Sequence, residues 1–221
     1  MRPVPRLVIF DCDGVLVDSE PIAMRVLIET IAAAGLDLAE AEGYERLLGR
    51  SLADIRVILQ GDFGLVLDDV ALEGMRARLY GAFRAELAPM AGIAAVLERL
   101  PVPFCVASSS QPERIEVSLR ATGLWPHFAG RVFSATMVAR GKPAPDLFLL
   151  AAERSGFAPA ECLVVEDSPA GIESALAGGM SVAGFLGGTH ARRPAHRAAV
   201  AARRPHHLFD EMSDLLTILA R

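Results

Sequence analysis

The chain has 221 residues, of which 52% are hydrophobic and 22% are charged, and its formal net charge is −5. This composition can fill a sizeable core and excludes wholesale disorder. The net negative charge makes nucleic acid a poor partner, and no apolar run is long enough to span a membrane. We therefore expect a globular protein that binds neither nucleic acid nor a membrane.

The three cysteines, Cys12, Cys105 and Cys162, each lie inside an apolar run, and no CxxC spacing occurs. They are expected to be small buried residues, and neither a zinc site nor a disulfide framework is indicated. The first residues run directly into an apolar strand without the pattern of a secretory signal. We expect a cytoplasmic protein, with a monomer as the default state.

Short apolar runs that end in polar residues predict the strands of a buried parallel sheet. They cover residues 6–10, 103–107, 131–134, 162–165 and 181–185. Helical patterns separate the later runs, at residues 112–122, at 145–155, and after Ser168-Pro169, where a capping serine precedes a first-turn proline. Strands that alternate with helices predict an α/β fold, a parallel sheet covered by helices on both faces.

Residues 18–88 break this alternation and contain no convincing strand. The pattern predicts helices at residues 20–34, 40–48, 52–59 and 68–87, separated by Gly35, Gly49 and the Gly61-Asp62 pair. An all-helical insert of this length is typical of a separate small domain. The rest of the chain, residues 1–17 and 89–221, is predicted to form the core domain.

Polar side chains follow four of the predicted strands, at the edge where an open parallel sheet binds its ligands. Neighbouring carboxylates repel one another unless a cation lies between them, and oxygen ligands without sulfur or imidazole favour Mg²⁺. A lysine, the only one in the chain, offers a compact countercharge. The set is typical of phosphoryl transfer by a carboxylate nucleophile, and it consists of Asp11, Asp13, Ser108, Lys142, Glu166 and Asp167.

Four segments carry a family resemblance: FDCDGVLVDSE, VASSS, GKPAPDLF and VVEDSPAGIESALAGGM. In this order and spacing they resemble the four motifs of the haloacid dehalogenase (HAD) superfamily, in the branch with a helical cap inserted after the first strand. The resemblance covers essentially the whole chain. It implies a Rossmann-like parallel-sheet core with an inserted all-helical cap domain. Within the family, the chain is similar to β-phosphoglucomutase-like proteins and to sugar-phosphate and 6-phosphogluconate phosphatases.

The resemblance implies a role for each residue of the motifs. Asp11 would be the nucleophile and a metal ligand. Asp13 would be the general acid and then the general base, and its backbone carbonyl would also bind Mg²⁺. The phosphoryl group would be held by Ser108 and Lys142, and the metal site would be completed by Glu166 and Asp167.

Further residues are expected to contact the substrate rather than to react. Arg50 is the expected contact in the cap, because it lies in a glycine-flanked loop. His190 follows the last predicted strand and is expected to be a loop residue, because the chemistry of the family needs no histidine. The expected contacts on the core side are Gly14, Ser109, Ser110 and Gln111.

The function predicted from these residues is hydrolysis of a small phosphorylated metabolite, a sugar or sugar-acid phosphate, through an aspartyl-phosphate on Asp11 with Mg²⁺ as cofactor. Asp13 disfavours dehalogenases, which usually lack the second aspartate, and the absence of a cap lysine disfavours phosphonoacetaldehyde hydrolases. A phosphosugar mutase of the β-phosphoglucomutase type is the alternative. Such mutases usually carry a histidine and an arginine where this chain has Ala23 and Leu52.

A second alternative belongs to a different class, a non-catalytic phosphoacceptor module like a receiver domain. Receivers also combine acids, a hydroxyl residue and a lysine with Mg²⁺. The large helical insert and the DxDG order at Asp11 argue against this alternative.

Overall fold

The computed structural model describes residues 4–47 and 52–220. One parallel sheet contains six strands in the order β3-β2-β1-β4-β5-β6. The predicted α/β fold with a parallel sheet is confirmed, and β6 is an addition to the predicted strands. The strands are β1 (Leu7–Phe10), β2 (Phe104–Ser108), β3 (Val132–Ser134), β4 (Cys162–Glu166), β5 (Ser181–Phe185) and β6 (His207–Phe209).

The central strands β1, β4 and β5 are buried along their whole length. Strands covered on both faces have no solvent side, which explains why their sequences are continuous apolar runs rather than alternating ones. The strand order reverses direction between β1 and β4, which pair from Leu7 with Cys162 to Phe10 with Val165. Such a reversal opens a crevice beyond the carboxyl ends of the two strands, and ligands bind there in open α/β sheets.

The chain divides into two compact units, a helical unit at Ser19–Glu86 and a sheet unit that comprises the rest. The helical unit contains α1 (Glu20–Ala33), α2 (Glu40–Leu47), α3 (Leu52–Phe63) and α4 (Asp69–Glu86). Its own apolar core includes Ile31, Leu47 and Leu59. The assignment of this unit as a cap stays a prediction.

One predicted helix boundary is wrong. Gly61-Asp62 was expected to separate two helices, but α3 continues through both residues to Phe63. The residue that follows the end of the helix is Gly64, whose φ of 67° lies in the left-handed region that glycine adopts without steric cost. The helix therefore ends at the next glycine in the sequence.

The sheet unit contains seven further helices among the described residues. In α9, Ser168 accepts a hydrogen bond of 3.0 Å from the Gly171 amide, as expected of an N-cap followed by Pro169. No helix in the described ranges is both long enough and apolar enough to cross a membrane. The helices are α5 (Ile93–Arg99), α6 (Pro112–Ala121), α7 (Trp125–Phe128), α8 (Asp146–Ser155), α9 (Pro169–Ala177), α10 (Pro194–Ala202) and α11 (Asp214–Leu219).

Candidate active site

A buried lysine joins two carboxylates beyond the ends of β1 and β4. The Lys142 ammonium group donates to Asp11 Oδ1 at 2.5 Å and to Glu166 Oε1 at 2.7 Å. Asp11 directly follows β1, and its amide continues the sheet by donating to the Val165 carbonyl at 3.0 Å. The Lys142 side chain is only 4% exposed and also lies 4.7 Å from the centre of the Phe148 ring. The ends of β1 and β4, together with the turn before α8 that carries Lys142, therefore bring the predicted nucleophile, the only lysine and Glu166 into one cluster.

The charges in this cluster do not balance. Burial raises the pKa of Asp11 well above its ordinary value; Lys142 opposes this rise, and the carboxylates of Glu166 and Asp167 add to it. Burial acts to lower the pKa of Lys142, but the adjacent Asp11 and Glu166 carboxylates outweigh it and raise that pKa. One ammonium group thus pairs with two buried carboxyl groups, and the carboxyl group of Asp167 acts on Asp11 as a third. A further cation would reduce the repulsion among the three carboxylates.

Three of the predicted metal ligands are close enough to share one ion. Asp11, Glu166 and Asp167 each offer a carboxylate oxygen, and these oxygens lie within 4.8 Å of one another. Oxygen atoms are the ligands that hard divalent cations prefer. This set therefore fits a divalent metal ion, which would also offset the charge that Lys142 leaves unbalanced.

The predicted acid–base residue, Asp13, is held by two side chains of the segment after β2. Ser110 Oγ donates to Asp13 Oδ2 at 2.7 Å, and Arg114 Nη2 donates to Asp13 Oδ1 at 2.9 Å. Ser110 was expected to contact substrate, and that contact stays a prediction; in the structure its hydroxyl bonds to Asp13. Arg114, in the first turn of α6, was not predicted. Its partner, Asp13, lies 101 residues away in the sequence, so no local sequence pattern predicts this pair.

The remaining predicted residues on the core side lie at the same edge of the sheet. Ser108 ends β2 and is buried, and its Oγ accepts from the Ser110 amide at 3.1 Å. Gly14 is buried in the turn that follows Asp13, and its φ of 82° is one that glycine adopts readily. Ser109 and Gln111 are exposed.

Arg50, the predicted contact in the helical insert, lies outside the described residues. Gly49 and Leu48, which were part of the same predicted loop and of the end of the preceding helix, lie outside them as well. The substrate contact assigned to Arg50 stays a prediction.

Two histidines that sequence reasoning left aside lie against Asp167. His190 is buried, and its Nε2 lies 2.7 Å from Asp167 Oδ2. His196, in α10, places its Nε2 2.9 Å from the Asp167 backbone carbonyl oxygen. Burial, and then the neighbouring His190 ring, lower the pKa of His196. His190 was expected to be a loop residue; it lies in a single 3-10 turn, Thr189–Arg192, but points inward rather than to solvent.

Comparison with known proteins gives consistent matches over most of the chain. A family model described as haloacid dehalogenase-like hydrolase matches residues 5–179. The 6-phosphogluconate phosphatase of Escherichia coli (strain K12) is 32% identical over 190 residues, which are 86% of this chain and 86% of that protein. Hexitol phosphatase A of the same organism is 34% identical over 180 residues, 79% of this chain and 80% of that protein.

A solved structure of a similar protein has the same fold. The crystal structure of a haloacid dehalogenase-like protein from Agrobacterium tumefaciens str. C58 superposes with a TM-score of 0.86 at 34% sequence identity, over 98% of both chains. This match covers the sheet and the inserted helices alike.

Proposed function

The chain belongs to the haloacid dehalogenase-like hydrolases, and we propose that it hydrolyses a small phosphorylated metabolite with Asp11 as the nucleophile and Mg²⁺ as the cofactor. The family predicted from the four motifs is confirmed, and so is the predicted enzyme class, a phosphoric monoester hydrolase. The residue roles, the metal and the substrate are parts of the proposal.

The observation that carries the proposal is the buried cluster of Lys142, Asp11 and Glu166. Burying carboxylates is costly, and a fold retains them when a partner or a bound ion compensates. A buried acid with a raised pKa at the switch point of a parallel sheet is typical of an active site, and Asp11 is such an acid. A phosphoryl group approaching Asp11 would meet the Lys142 ammonium, which can offset the charge on its oxygens.

The oxygen donors of the cluster support Mg²⁺ as the metal. Asp11, Glu166 and Asp167 would hold it through their carboxylates, and Asp13 through its backbone carbonyl. When bound, the ion supplies positive charge that orients the phosphoryl oxygens and offsets repulsion between them and the attacking carboxylate.

The reaction would proceed in two displacements at phosphorus. A carboxylate oxygen of Asp11 forms a bond to phosphorus while the ester P–O bond breaks, and Asp13 gives its proton to the departing oxygen. Asp13 then takes a proton from water as that water attacks the aspartyl-phosphate. The acyl P–O bond breaks, so inorganic phosphate leaves and Asp11 is restored.

The contacts of Asp13 suit the second displacement. Ser110 and Arg114 fix one orientation of its carboxylate. Arg114 also places a positive charge 2.9 Å from this carboxylate. Both contacts would hold the carboxylate in place while it accepts a proton from water.

A sugar or sugar-acid phosphate is the substrate class that we propose. Two relatives, the 6-phosphogluconate phosphatase and hexitol phosphatase A, carry names of this class. The helical insert would select among such esters, as the family resemblance implies, with Arg50 as its predicted contact. A cytoplasmic location and a monomeric state complete the prediction.

Release of inorganic phosphate tests this function. Wild-type protein should release phosphate from p-nitrophenyl phosphate and from sugar phosphates with Mg²⁺, and not after chelation. Asp11→Asn should lower turnover by about 10⁴-fold or more, because an amide cannot serve as the nucleophile. Its thermal midpoint should change little, because Glu166 still pairs with Lys142.

Asp214→Asn is the matched control, since it makes the same change at an exposed position at the start of α11 and should leave turnover intact. Retained turnover in Asp11→Asn would reject Asp11 as the nucleophile. Isomerisation of β-glucose 1-phosphate without phosphate release would favour the mutase, and a folded protein that holds phosphate without turnover would favour the phosphoacceptor module.

A further inference from the structure

Two histidines and an aspartate converge next to the carboxylate cluster of Asp11, Glu166 and Asp167. Asp167, His190 and His196 each offer one ligand atom, and these atoms lie within 4.8 Å of one another. His190 Nε2 lies 2.7 Å from Asp167 Oδ2, a separation that needs a proton or a cation between the two atoms, because their lone pairs would otherwise repel. The ligand atoms of one tetrahedral zinc ion lie about 3.3 Å apart, since each is about 2.0–2.1 Å from the metal. Small side-chain rotations would therefore bring the three residues onto one ion.

The spacing of the two imidazole rings also fits a shared ion. Their centres are 4.8 Å apart. Rings that each bind a tetrahedral zinc ion through one nitrogen have centres about 5 Å apart. A neutral imidazole carries a lone pair on one of its two nitrogens, so each ring can supply one ligand. Two nitrogen ligands and one carboxylate thus meet just after β4.

The His190 ring is enclosed by backbone on two sides. A methyl group added to Gly188 would lie 2.7 Å from His190 Cε1, and one added to Gly14 would lie 2.9 Å from the same carbon. The His190 side chain is buried, whereas His196, in α10, is only partly buried. An ion would therefore reach the fixed His190 ring from the side of His196.

We propose that Asp167, His190 and His196 form a second metal site, the histidine site, which takes Zn²⁺ or another late first-row divalent ion in preference to Mg²⁺. Imidazole nitrogen suits zinc, copper and nickel, whereas Mg²⁺ prefers oxygen ligands in near-octahedral geometry. Asp167 belongs to the carboxylate cluster as well. Two sites of different chemistry therefore share one carboxylate.

An ion in the histidine site would compete with Mg²⁺ for Asp167, a consequence that rests on the proposed Mg²⁺-dependent function. Asp167 supplies the one carboxylate among the three ligands of the histidine site, so a zinc ion there would draw its charge away from the carboxylate cluster. Two divalent cations on neighbouring sites also repel each other. Zinc should therefore inhibit phosphate release, and additional Mg²⁺ should relieve the inhibition.

Imidazole NMR signals test the histidine site without turnover. The chain has five histidines, few enough for each ring to be assigned in a long-range proton–nitrogen correlation spectrum of the full chain. Added Zn²⁺ should shift the ring-nitrogen signals of His190 and His196. The signals of His127, which lies in α7, should stay in place.

His196→Gln should weaken zinc binding without removing a carboxylate. Titration calorimetry of the chelator-treated full chain with Zn²⁺ should give a dissociation constant raised about 100-fold or more, because losing even an outer partner of a ligand costs about 10- to 100-fold. The thermal midpoint without metal reports any loss of packing separately. His127→Gln is the matched control, the same change at another partly buried histidine, and should bind Zn²⁺ like the wild type.

Phosphate release at constant Mg²⁺ tests the competition. The Zn²⁺ concentration that halves the rate should rise in His196→Gln by about the same factor as the zinc dissociation constant, with each protein compared with its own rate without zinc. In the wild type, raising Mg²⁺ should restore the rate.

Zinc that leaves the ring signals of His190 and His196 unshifted would reject the histidine site while the proposed function stands. Equal zinc affinity in the wild type and His196→Gln would reject it as well. Equal inhibition of the two proteins would reject the competition and assign the inhibitory ion to the carboxylate cluster. Wild-type protein without Mg²⁺-dependent phosphate release would overturn the proposed function itself, and the spectra and calorimetry would still test the histidine site.

Discussion

An ion pair of the helical unit and one of the sheet unit differ sharply in how far they are exposed to water. In the helical unit, Arg46 bonds to Asp62 at 2.8 Å, and 40% and 53% of these two side chains are exposed. In the sheet unit, Lys142 bonds to Asp11 at a similar distance, but the two side chains are 4% and 9% exposed. Exposed pairs exchange contacts with water for contacts with each other and gain little, whereas a buried charge depends entirely on its partner.

Ion pairs at the surface, such as Arg46 with Asp62, therefore differ from the buried pair of Lys142 and Asp11, which belongs to the candidate active site. If one partner of an exposed pair in the helical unit were removed, the remaining charge would still be hydrated by water. The sheet unit also has exposed pairs, such as Arg197 with Asp210, but it cannot lose Lys142 in this way, because the carboxylates of Asp11 and Glu166 have been removed from water. The free-energy cost of burying these carboxylates falls at the end of β1, where Asp11, the proposed nucleophile, lies.

The largest effect is expected from Lys142→Met. The variant keeps an unbranched side chain of similar length but leaves Asp11 and Glu166 buried without their cation. Breaking one side of a buried pair typically costs about 3–5 kcal/mol of the free energy of unfolding. Urea denaturation at neutral pH with a chelator present should show this loss, and turnover should also be lost.

Lowering the pH should restore part of the free energy of unfolding that Lys142→Met loses, and this pH dependence is the control. The folded-state pKa of Asp11 already lies above its ordinary value of 3.8, so the folded chain binds a proton more tightly than the unfolded chain. Stability from this group is therefore present at low pH and is lost as pH rises toward the folded-state pKa. A loss in the variant that does not shrink between pH 7 and pH 5 would contradict the charge argument.

An intermediate effect is expected from the cysteines, all of which are buried in the sheet unit. Burial raises the pKa of Cys105 to about 12 and, less strongly, that of Cys162 to about 11. Because only thiolates react, alkylation by iodoacetamide at pH 8 should be on the order of 100-fold slower in the native chain than in urea. Mass spectrometry of the labelled peptides measures each rate.

The raised pKa values of the same thiols also predict how the free energy of unfolding changes at alkaline pH. Their folded-state pKa values exceed the ordinary value of 9.0, so the unfolded chain loses protons first as pH rises. The free energy of unfolding should therefore fall above about pH 9. Native labelling as fast as labelling in urea would show that the sheet unit opens more readily than its burial implies.

The smallest effect is expected from Arg46→Ala in the helical unit. This change removes contacts to Glu42, at 3.2 Å, and to Asp62. Since all three side chains are substantially exposed, the loss should stay within about 1 kcal/mol and shrink further in 0.5 M salt. A loss as large as that of Lys142→Met would break the distinction between the two units.

Much of the sheet was predictable because its strands are buried on both faces. The runs at β1, β4 and β5 are continuous and apolar, so each strand can be recognised from its own residues alone. The strand β6 was missed because it contains three residues, one of them a histidine, and lies at the edge of the sheet. Such a segment has no pattern that distinguishes it from a loop.

The candidate site divides in the same way. Residues at strand ends, such as Asp11 just after β1 and Glu166 at the end of β4, are identified by their position after an apolar run. Arg114 and His190 are not marked, since each meets its carboxylate only after distant segments have folded together. Tertiary pairs of this kind leave no periodic signal, and only coordinates reveal them.

The central position of β1 has a consequence for biosynthesis. The pairing of Phe10 with Val165 requires a strand that is synthesised long after β1, and at about 5–20 residues per second that partner follows roughly eight to thirty seconds later. During this interval the apolar first strand has no β4 to pair with. Asp11 is synthesised well before Glu166, so the site that the two residues share can be completed only after β4 has been made and has paired with β1.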